Sequence, residues 1–323
     1  MSPAPSPDLP FRAITDLIRE HAQARPQRAA LIQGDAQLDY ATLDRLMDRV
    51  AASLQRDGLV PGRDAIAICA QASPLHAALF LGALRAGIAV APLAPSVTPQ
   101  SFESMLGDAK PRWLFTDAAA LDALGDAAPT VPCIALDDHA PGRAFDAWLL
   151  AEGATPAPVA VRPEWPFNII YSSGTTGTPK GIVQSHGMRW SHVDRGATYG
   201  YGPDAVTILA TPLYSNTTLV VFFPTLAYGG TVVLMPKFDA AGYLELAARH
   251  RATHTMLVPV QYQRIMALPG FERHDLASFR YKFCTSAPFA AALKADVVER
   301  WPGGLIEFYG MTEGGGNRIL AAH

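Results

Sequence analysis

The segment Phe167-Asn168-Ile169-Ile170-Tyr171-Ser172-Ser173-Gly174-Thr175-Thr176-Gly177-Thr178-Pro179-Lys180-Gly181 decides how the rest of this chain is read. Its first part, 167–171, is an apolar run that reads as a buried strand. The strand opens into five hydroxyl side chains between Ser172 and Thr178, with three glycines and one lysine beside them. Glycine lets the backbone turn sharply and bring its N–H groups close to an anion. The hydroxyls add hydrogen bonds to phosphate oxygens, and Lys180 adds one positive charge. Pro179 fixes φ immediately before it and stiffens the turn. Spacing excludes the familiar alternatives. In a Walker A loop counted from Gly174, the second glycine would fall on Pro179, and Gly181 stands where Ser or Thr is required. A Ser-x-x-Lys pair would need serine at Gly177, and there is no Gly-x-Ser-x-Gly elbow.

Outward from this segment the chain alternates short β-rich runs with helical patterns. Strands are expected at 65–69, 88–92, 113–115, 133–135, 167–171, 206–209, 231–234, 255–258, 281–284 and 305–308. Helices are expected at 42–56, 74–86, 240–251 and 288–300. Continuous apolar strands separated by helices indicate an α/β fold of mostly parallel β-sheets flanked by helices. Right-handed crossovers then set the strand ends and their loops along one rim. Composition shifts to Ala, Pro and Gly over 137–165, which reads as a loop or subdomain joint and not a free linker. Two subdomains are therefore expected, 1–165 and 166–323, the second carrying the phosphate loop.

Composition narrows the function classes. The chain has 323 residues, 49% of them hydrophobic and 17% charged, which excludes a disordered or fibrous protein. Its 26 basic and 29 acidic residues leave a net charge of −3, and its lysines are scattered, so no nucleic-acid partner is expected. Cys69, Cys133 and Cys284 form neither a disulfide framework nor a CxxC site, which fits a reducing, cytoplasmic location. No secretion signal is visible at the start. Residues 205–236 contain no charged side chain, but Pro212, Pro224 and Gly229-Gly230 interrupt them. They read as strand, loop, short helix and strand, with no membrane span. His186 and His192 fall on an expected helix, and His254 precedes a strand; all three read as structural.

A second constellation lies downstream. The strand 305–308 delivers Tyr309 into Gly310-Met311-Thr312-Glu313. An aromatic face there suits stacking on a base. Thr312 suits a phosphate oxygen, and Glu313 is a hard oxygen ligand for Mg2+ carried by phosphates.

Together these segments resemble the AMP-forming adenylating superfamily of acyl-CoA and aryl-CoA synthetases, peptide-synthetase adenylation domains and luciferases. Residues 171–181 match its signature loop and 309–313 its downstream motif. Pro61-Gly62-Arg63-Asp64 and the stretch 81–92 are similar to its early turn, helix and strand. Thr285-Ser286-Ala287-Pro288 resembles its Gly-Gly-Ala-Pro loop with the glycines replaced. The resemblance implies the large N-terminal domain of the adenylate-forming fold. It also implies a two-step reaction, in which a carboxylic acid is activated by ATP as acyl-adenylate and the acyl group then passes to the thiol of CoA. The enzyme in that reading aligns reactants and neutralises charge, since the substrate supplies the nucleophile.

By the same resemblance, Thr175, Thr176 and Lys180 hold pyrophosphate oxygens, and Ser172, Ser173, Gly174 and Gly177 belong to the nucleotide-binding loop with them. Ser286, Ala287 and Pro288 line the adenine, while Tyr309, Gly310 and Met311 cover its face. Thr312 contacts the α-phosphate and Glu313 binds Mg2+. Lys180, Thr312 and Glu313 are the expected catalytic set. Pro212-Leu213-Tyr214-Ser215-Asn216-Thr217-Thr218 resembles the start of the family's acid-binding helix, with Ser215 where many ligases carry histidine. The lack of an acidic residue nearby argues against an α-amino acid substrate. Tyr214, Ser215 and Asn216 fit either a polar group of the acid or helix capping. Gly314 and Gly315 fit either room for a bulky acid or a turn. A homo-oligomer is compatible with the sequence, and so is an acceptor thiol on a carrier protein. The chain stops at His323, before the family's small C-terminal domain with its adenylation lysine. The expectation is therefore weak nucleotide binding and slow catalysis by this chain alone, with a nucleotide or acyl-adenylate binding module without turnover as the alternative.

Overall fold

The structure, a computed structural model, describes residues 9–125, 129–172, 179–310 and 318–322. The first half contains α1 (Ile14–Ala24), β1 (Ala29–Gln33), β2 (Ala36–Asp39), α2 (Tyr40–Arg56), β3 (Ala65–Cys69), α3 (Pro74–Arg85) and β4 (Ala89–Pro92). It continues with α4 (Pro99–Ala109), β5 (Leu114–Thr116), α5 (Ala118–Leu124), β6 (Cys133–Ala135), β7 (Arg143–Ala144) and α6 (Phe145–Trp148). Next come β8 (Pro166–Ser172), β9 (Lys180–Ser185), α7 (His186–Asp194), β10 (Val206–Leu209), α8 (Asn216–Ala227) and β11 (Thr231–Leu234). The remainder is α9 (Ala240–Arg249), β12 (His254–Leu257), α10 (Pro259–Met266), β13 (Tyr281–Cys284), α11 (Ala291–Arg300), β14 (Gly304–Tyr309) and β15 (Arg318–Ala322).

The chain divides into two compact units. One comprises 1–10, 28–38 and 191–323, and the other 11–27 and 39–190. The first holds an eight-stranded sheet in the order β15-β14-β13-β12-β10-β11-β1-β2, and the second a seven-stranded sheet in the order β7-β6-β5-β3-β4-β8-β9. Most pairs are parallel; β8 with β9 and β14 with β15 are antiparallel.

In the seven-stranded unit, β3 and β4 are buried throughout. They are flanked by α3, which is apolar on nearly every face and buried accordingly. Ser73 caps α3 by accepting from the His76 N–H at 3.1 Å, and Pro74 opens its first turn. Gly82 lets α3 press on α2, because a Cβ there would lie 2.6 Å from Val50 Cβ. Buried Arg85 ties three helices together. It donates to Asp44 Oδ1 at 2.5 Å, to Asp48 Oδ1 at 2.9 Å and to the Thr15 carbonyl at 3.2 Å. Residues past α6 run along α2, where Arg49 donates to the Leu150 carbonyl and Gln55 pairs with Ala157 through both of its amide atoms. The stretch expected to be a joint is thus fastened to the unit.

In the eight-stranded unit, Trp301 is fully buried and centres an edge-to-face cluster with Tyr243, Tyr262, Phe271 and Phe279. The uncharged stretch 205–236 forms β10, the buried helix α8 and β11, as its interruptions predict. Four helix ends differ from the expected ones: α2 starts at Tyr40 and not 42, α3 ends at Arg85 and not 86, and α9 and α11 are shorter than expected. α11 starts at Ala291, because Phe289 leaves the helical path to bury its ring against Tyr262 at 5.2 Å. α9 ends at Arg249, and Arg251 takes φ +51° in the turn that follows.

Candidate functional site

The strands flanking the expected phosphate loop lie in the seven-stranded unit. β8 and β9 are antiparallel, and their ladder closes with Ser172 opposite Lys180 and Tyr171 opposite Gly181. The described part of the hairpin ends at this pair, and Lys180, whose side chain is exposed, opens the return strand. Ser173, Gly174, Thr175, Thr176 and Gly177 lie outside the described residues, and so does the side chain of Ser172. The neck is anchored by Tyr171, whose hydroxyl meets the Asp108 carboxylate at 2.8 Å and the Met105 carbonyl at 3.0 Å. Burial, then the bond to Asp108, pushes the Tyr171 phenol above its ordinary range, so it stays a neutral donor. Gly181 has a steric reason: a Cβ would come within 2.5 Å of Asp108 Oδ2 and 3.1 Å of the Tyr171 ring.

Behind the neck is a buried polar group. Asn168 Nδ2 donates to Gln184 Oε1 at 3.0 Å, and Arg189 Nε donates to Asn168 Oδ1 at 2.9 Å. Arg189 Nη2 also donates to Gln184 Oε1. The Arg189 guanidinium lies 5.9 Å from the Phe167 ring centroid, and burial lowers it to about 9. His186 packs edge-on against Phe167 at 4.8 Å and is drawn down to about 4 by burial. It is a neutral packing residue at the start of α7.

The elements expected to meet adenine and the acid lie in the eight-stranded unit. β10, β12, β13 and β14 run parallel, so the loops that follow them emerge on one rim. Gln261 links two of these loops, donating to the Ala210 carbonyl at 2.8 Å and accepting from the Val258 N–H at 3.0 Å. Thr285 Oγ1 donates to the Phe308 carbonyl at 3.0 Å, which ties the loop after β13 to the end of β14. Ser286 takes φ +77°, and its hydroxyl lies 2.9 Å from that of Thr217 in the first turn of α8. Ser286, Ala287 and Pro288 are exposed, as is Gly310, and Tyr309 is 75% exposed. Most large apolar side chains here are buried, so an exposed aromatic at a strand end is a feature suited to stacking on a ligand.

Ser215 occupies the N-cap of α8, yet its side chain makes no capping bond. The turn before it is held by Thr218 instead, whose hydroxyl donates to the Pro212 carbonyl at 2.7 Å. Tyr214, Ser215 and Asn216 are partly buried at this turn. Met311, Thr312, Glu313, Gly314 and Gly315 lie outside the described residues. Among the described residues there is no group of three or more His, Cys, Asp and Glu able to hold a metal ion. His254 is structural: its two ring nitrogens meet Thr253 Oγ1 and the Tyr199 carbonyl, and Tyr201 stacks on it at 4.1 Å. Among the described residues, no helix is long and apolar enough to cross a membrane.

The structure thus unites Ser172 with Lys180 in one unit, and Ser286 with the first turn of α8 in the other. Motif reading missed Asp108 and Gln261, and it quoted Thr217 without its contact to Ser286. None has a local signature; each acts through a partner remote in sequence.

The family described as AMP-binding enzyme matches residues 18–321. The chain belongs to that family. Among its relatives, an indoleacetate–CoA ligase of Aromatoleum aromaticum is 32% identical over 311 residues, covering 93% of this chain and 60% of the relative. A feruloyl-CoA synthase of an Amycolatopsis species is 30% identical over 315 residues, covering 90% of this chain and 58% of the relative. The chain therefore spans about three fifths of the length of these curated relatives. The N-terminal domain of FACL13 from Mycobacterium tuberculosis superposes with a TM-score of 0.83 at 23% identity, covering 96% of this chain and 79% of that one. That likeness is one of fold, and it agrees with the α/β architecture expected from the alternating strands and helices.

Proposed function

We propose that this chain provides the nucleotide- and acid-binding part of an AMP-forming carboxylate–CoA ligase. The observation that carries the reading is the hairpin neck. Ser172 and Lys180 face each other across the ladder, so a hydroxyl- and glycine-rich segment is bounded at its exit by an exposed cation. Such a mouth suits the β- and γ-phosphates of ATP. The substrate carboxylate attacks the α-phosphorus, the bond to the β-phosphate oxygen breaks, and pyrophosphate leaves with the bond electrons. The CoA thiolate then attacks the acyl carbon and AMP departs. The first step needs alignment and charge neutralisation, with no protein nucleophile. Lys180 neutralises the leaving pyrophosphate. Ser286, Ala287, Pro288 and Tyr309 hold the adenine, and Tyr214, Ser215 and Asn216 meet the acid. Thr312 on the α-phosphate and Mg2+ on Glu313 are assigned by resemblance alone, and no step here depends on them.

The substrate class we favour is an aromatic ring on a short carboxylate arm. Relatives named for indoleacetate, ferulate and 4-coumarate support it. So does the absence of an acidic side chain from 205–236, which leaves a substrate ammonium without a counter-charge. The test is carboxylate-dependent exchange of pyrophosphate into ATP by the purified chain, with indoleacetate, ferulate, 4-coumarate and two α-amino acids. Exchange with an aryl acid, reduced on the order of 100-fold by Lys180→Met, is expected. Nucleotide binding without exchange would favour the binding-module reading. Neither binding nor exchange would sink both.

A further inference from the structure

We propose that the Thr217–Ser286 hydroxyl pair is a positioning device that makes the conformation of the nucleotide loop 285–288 depend on the first turn of α8. The inference rests on the reading above, in which residues 285–288 line a nucleotide and the turn before α8 meets the acid.

Ser286 holds φ +77°, a backbone region that costs an L-residue energy and glycine almost nothing. The other two non-glycine residues in this region among the described ones, Lys110 and Arg251, stand in turns just after helices. Ser286 instead stands in the loop after β13, where the nucleotide side of the site is built. A glycine would keep this conformation by itself, whereas a serine needs something to hold it there. Ser286 is exposed, and its hydroxyl meets that of Thr217 at 2.9 Å. Thr217 is a firm post: it is buried, on a helix whose residues are almost all buried. One residue back, Thr285 is fastened to the Phe308 carbonyl; three residues on, Phe289 is buried against Tyr262. Between these two anchors, the hydroxyl pair fixes the strained residue. The same helix begins at Asn216, beside Ser215 and Tyr214. An acid that shifts the first turn of α8 therefore shifts the partner of Ser286, and by reciprocity a bound nucleotide biases the acid side.

The test is a double-mutant cycle in nucleotide affinity, read by titration calorimetry with ATP on the purified chain. Thr217→Val keeps the branched shape and removes the hydroxyl; ATP should bind about 3- to 10-fold more weakly. Ser286→Ala removes the same bond from the exposed partner without touching the helix, and the same loss is expected. Adding Thr217→Val to S286G should change ATP affinity less than about 2-fold relative to S286G alone, because glycine needs no partner. A merely structural Thr217 would lower the melting temperature and weaken binding equally in both backgrounds, which overturns the proposal. So does an unchanged ATP affinity in Thr217→Val and Ser286→Ala while the wild type binds. If the wild type binds no ATP at all, the reading of the site as a nucleotide site fails first, and this inference falls with it.

Discussion

Replacing Lys282 by methionine probes how the rim-bearing strand β13 is held to the end of α11. Lys282 is fully buried, and its ammonium donates to three backbone carbonyls, those of Trp301 at 2.8 Å, Pro302 at 2.7 Å and Gly303 at 2.5 Å. These acceptors follow the last residue of α11, where the helix dipole is negative. Methionine retains most of the apolar stem but leaves the carbonyls without this donor. Each buried group so abandoned costs about 1–3 kcal/mol, roughly 3–9 kcal/mol for three. Removing a desolvated ammonium returns part of that, so a net loss of about 2–4 kcal/mol is expected near neutral pH.

The pH dependence sharpens this prediction. Burial draws Lys282 from 10.5 down to about 7. Between those values the unfolded chain keeps a proton that the folded chain has lost, so stability rises with pH. The wild-type advantage over Lys282→Met should therefore be flat below about pH 7 and then grow, by at most about 1.4 kcal/mol per pH unit. Groups common to both proteins cancel in the difference. The assay is urea unfolding of both proteins from about pH 6 to about pH 9, with hydrogen exchange of the α11 amides as the local readout. A methionine variant as stable as the wild type would refute the carbonyl argument. An advantage that shrinks with rising pH would refute the titration argument.

Three other perturbations follow from the same structure. His76, His186 and His254 are each lowered from 6.5 to about 4 by burial, so the unfolded state binds more protons between those values. Stability should fall as pH drops through that window, by at most about 4 kcal/mol per pH unit for the three together; a melting temperature flat across it would contradict their burial. Gly181→Ala should displace Asp108 from Tyr171, cost about 1–2 kcal/mol and weaken ATP binding, checked by calorimetry and thermal melting. Arg85→Met leaves Asp44 and Asp48 with Arg19 as their remaining cation and should destabilise by about 3 kcal/mol in urea; a change under about 1 kcal/mol would mean that the buried arginine is dispensable.

Much of the fold is legible in local pattern. The runs at 65–69, 133–135, 206–209, 231–234 and 281–284 are strands with the bounds read from sequence, because short apolar β-rich runs between turn residues have few other ways to hide. Other elements left weaker traces. β1 and β2 lie early in the chain, yet β1 pairs in parallel with β11, so the sheet takes in a segment about 200 residues away. β9 alternates imperfectly and follows the glycine-rich segment closely; only its ladder with β8 reveals it as the return arm of a hairpin.

The sequence by itself determined the strand–glycine–hydroxyl–lysine order at 167–181, the tyrosine delivered by a strand at 309, and the alternation that makes an α/β fold. These are local properties, set by side-chain period and by the few residues that tolerate tight turns. The tertiary structure alone decided the sheet orders and, through them, the partners: Asp108 beneath Gly181 and Tyr171, Thr217 against Ser286, and Lys282 under the end of α11. Thr217 and Ser286 are 69 residues apart, and Tyr171 and Asp108 are 63 apart. No periodicity spans such distances. A hydroxyl or carboxylate can satisfy many donors and acceptors, and which one it meets depends on which strand ends become neighbours once the core has closed.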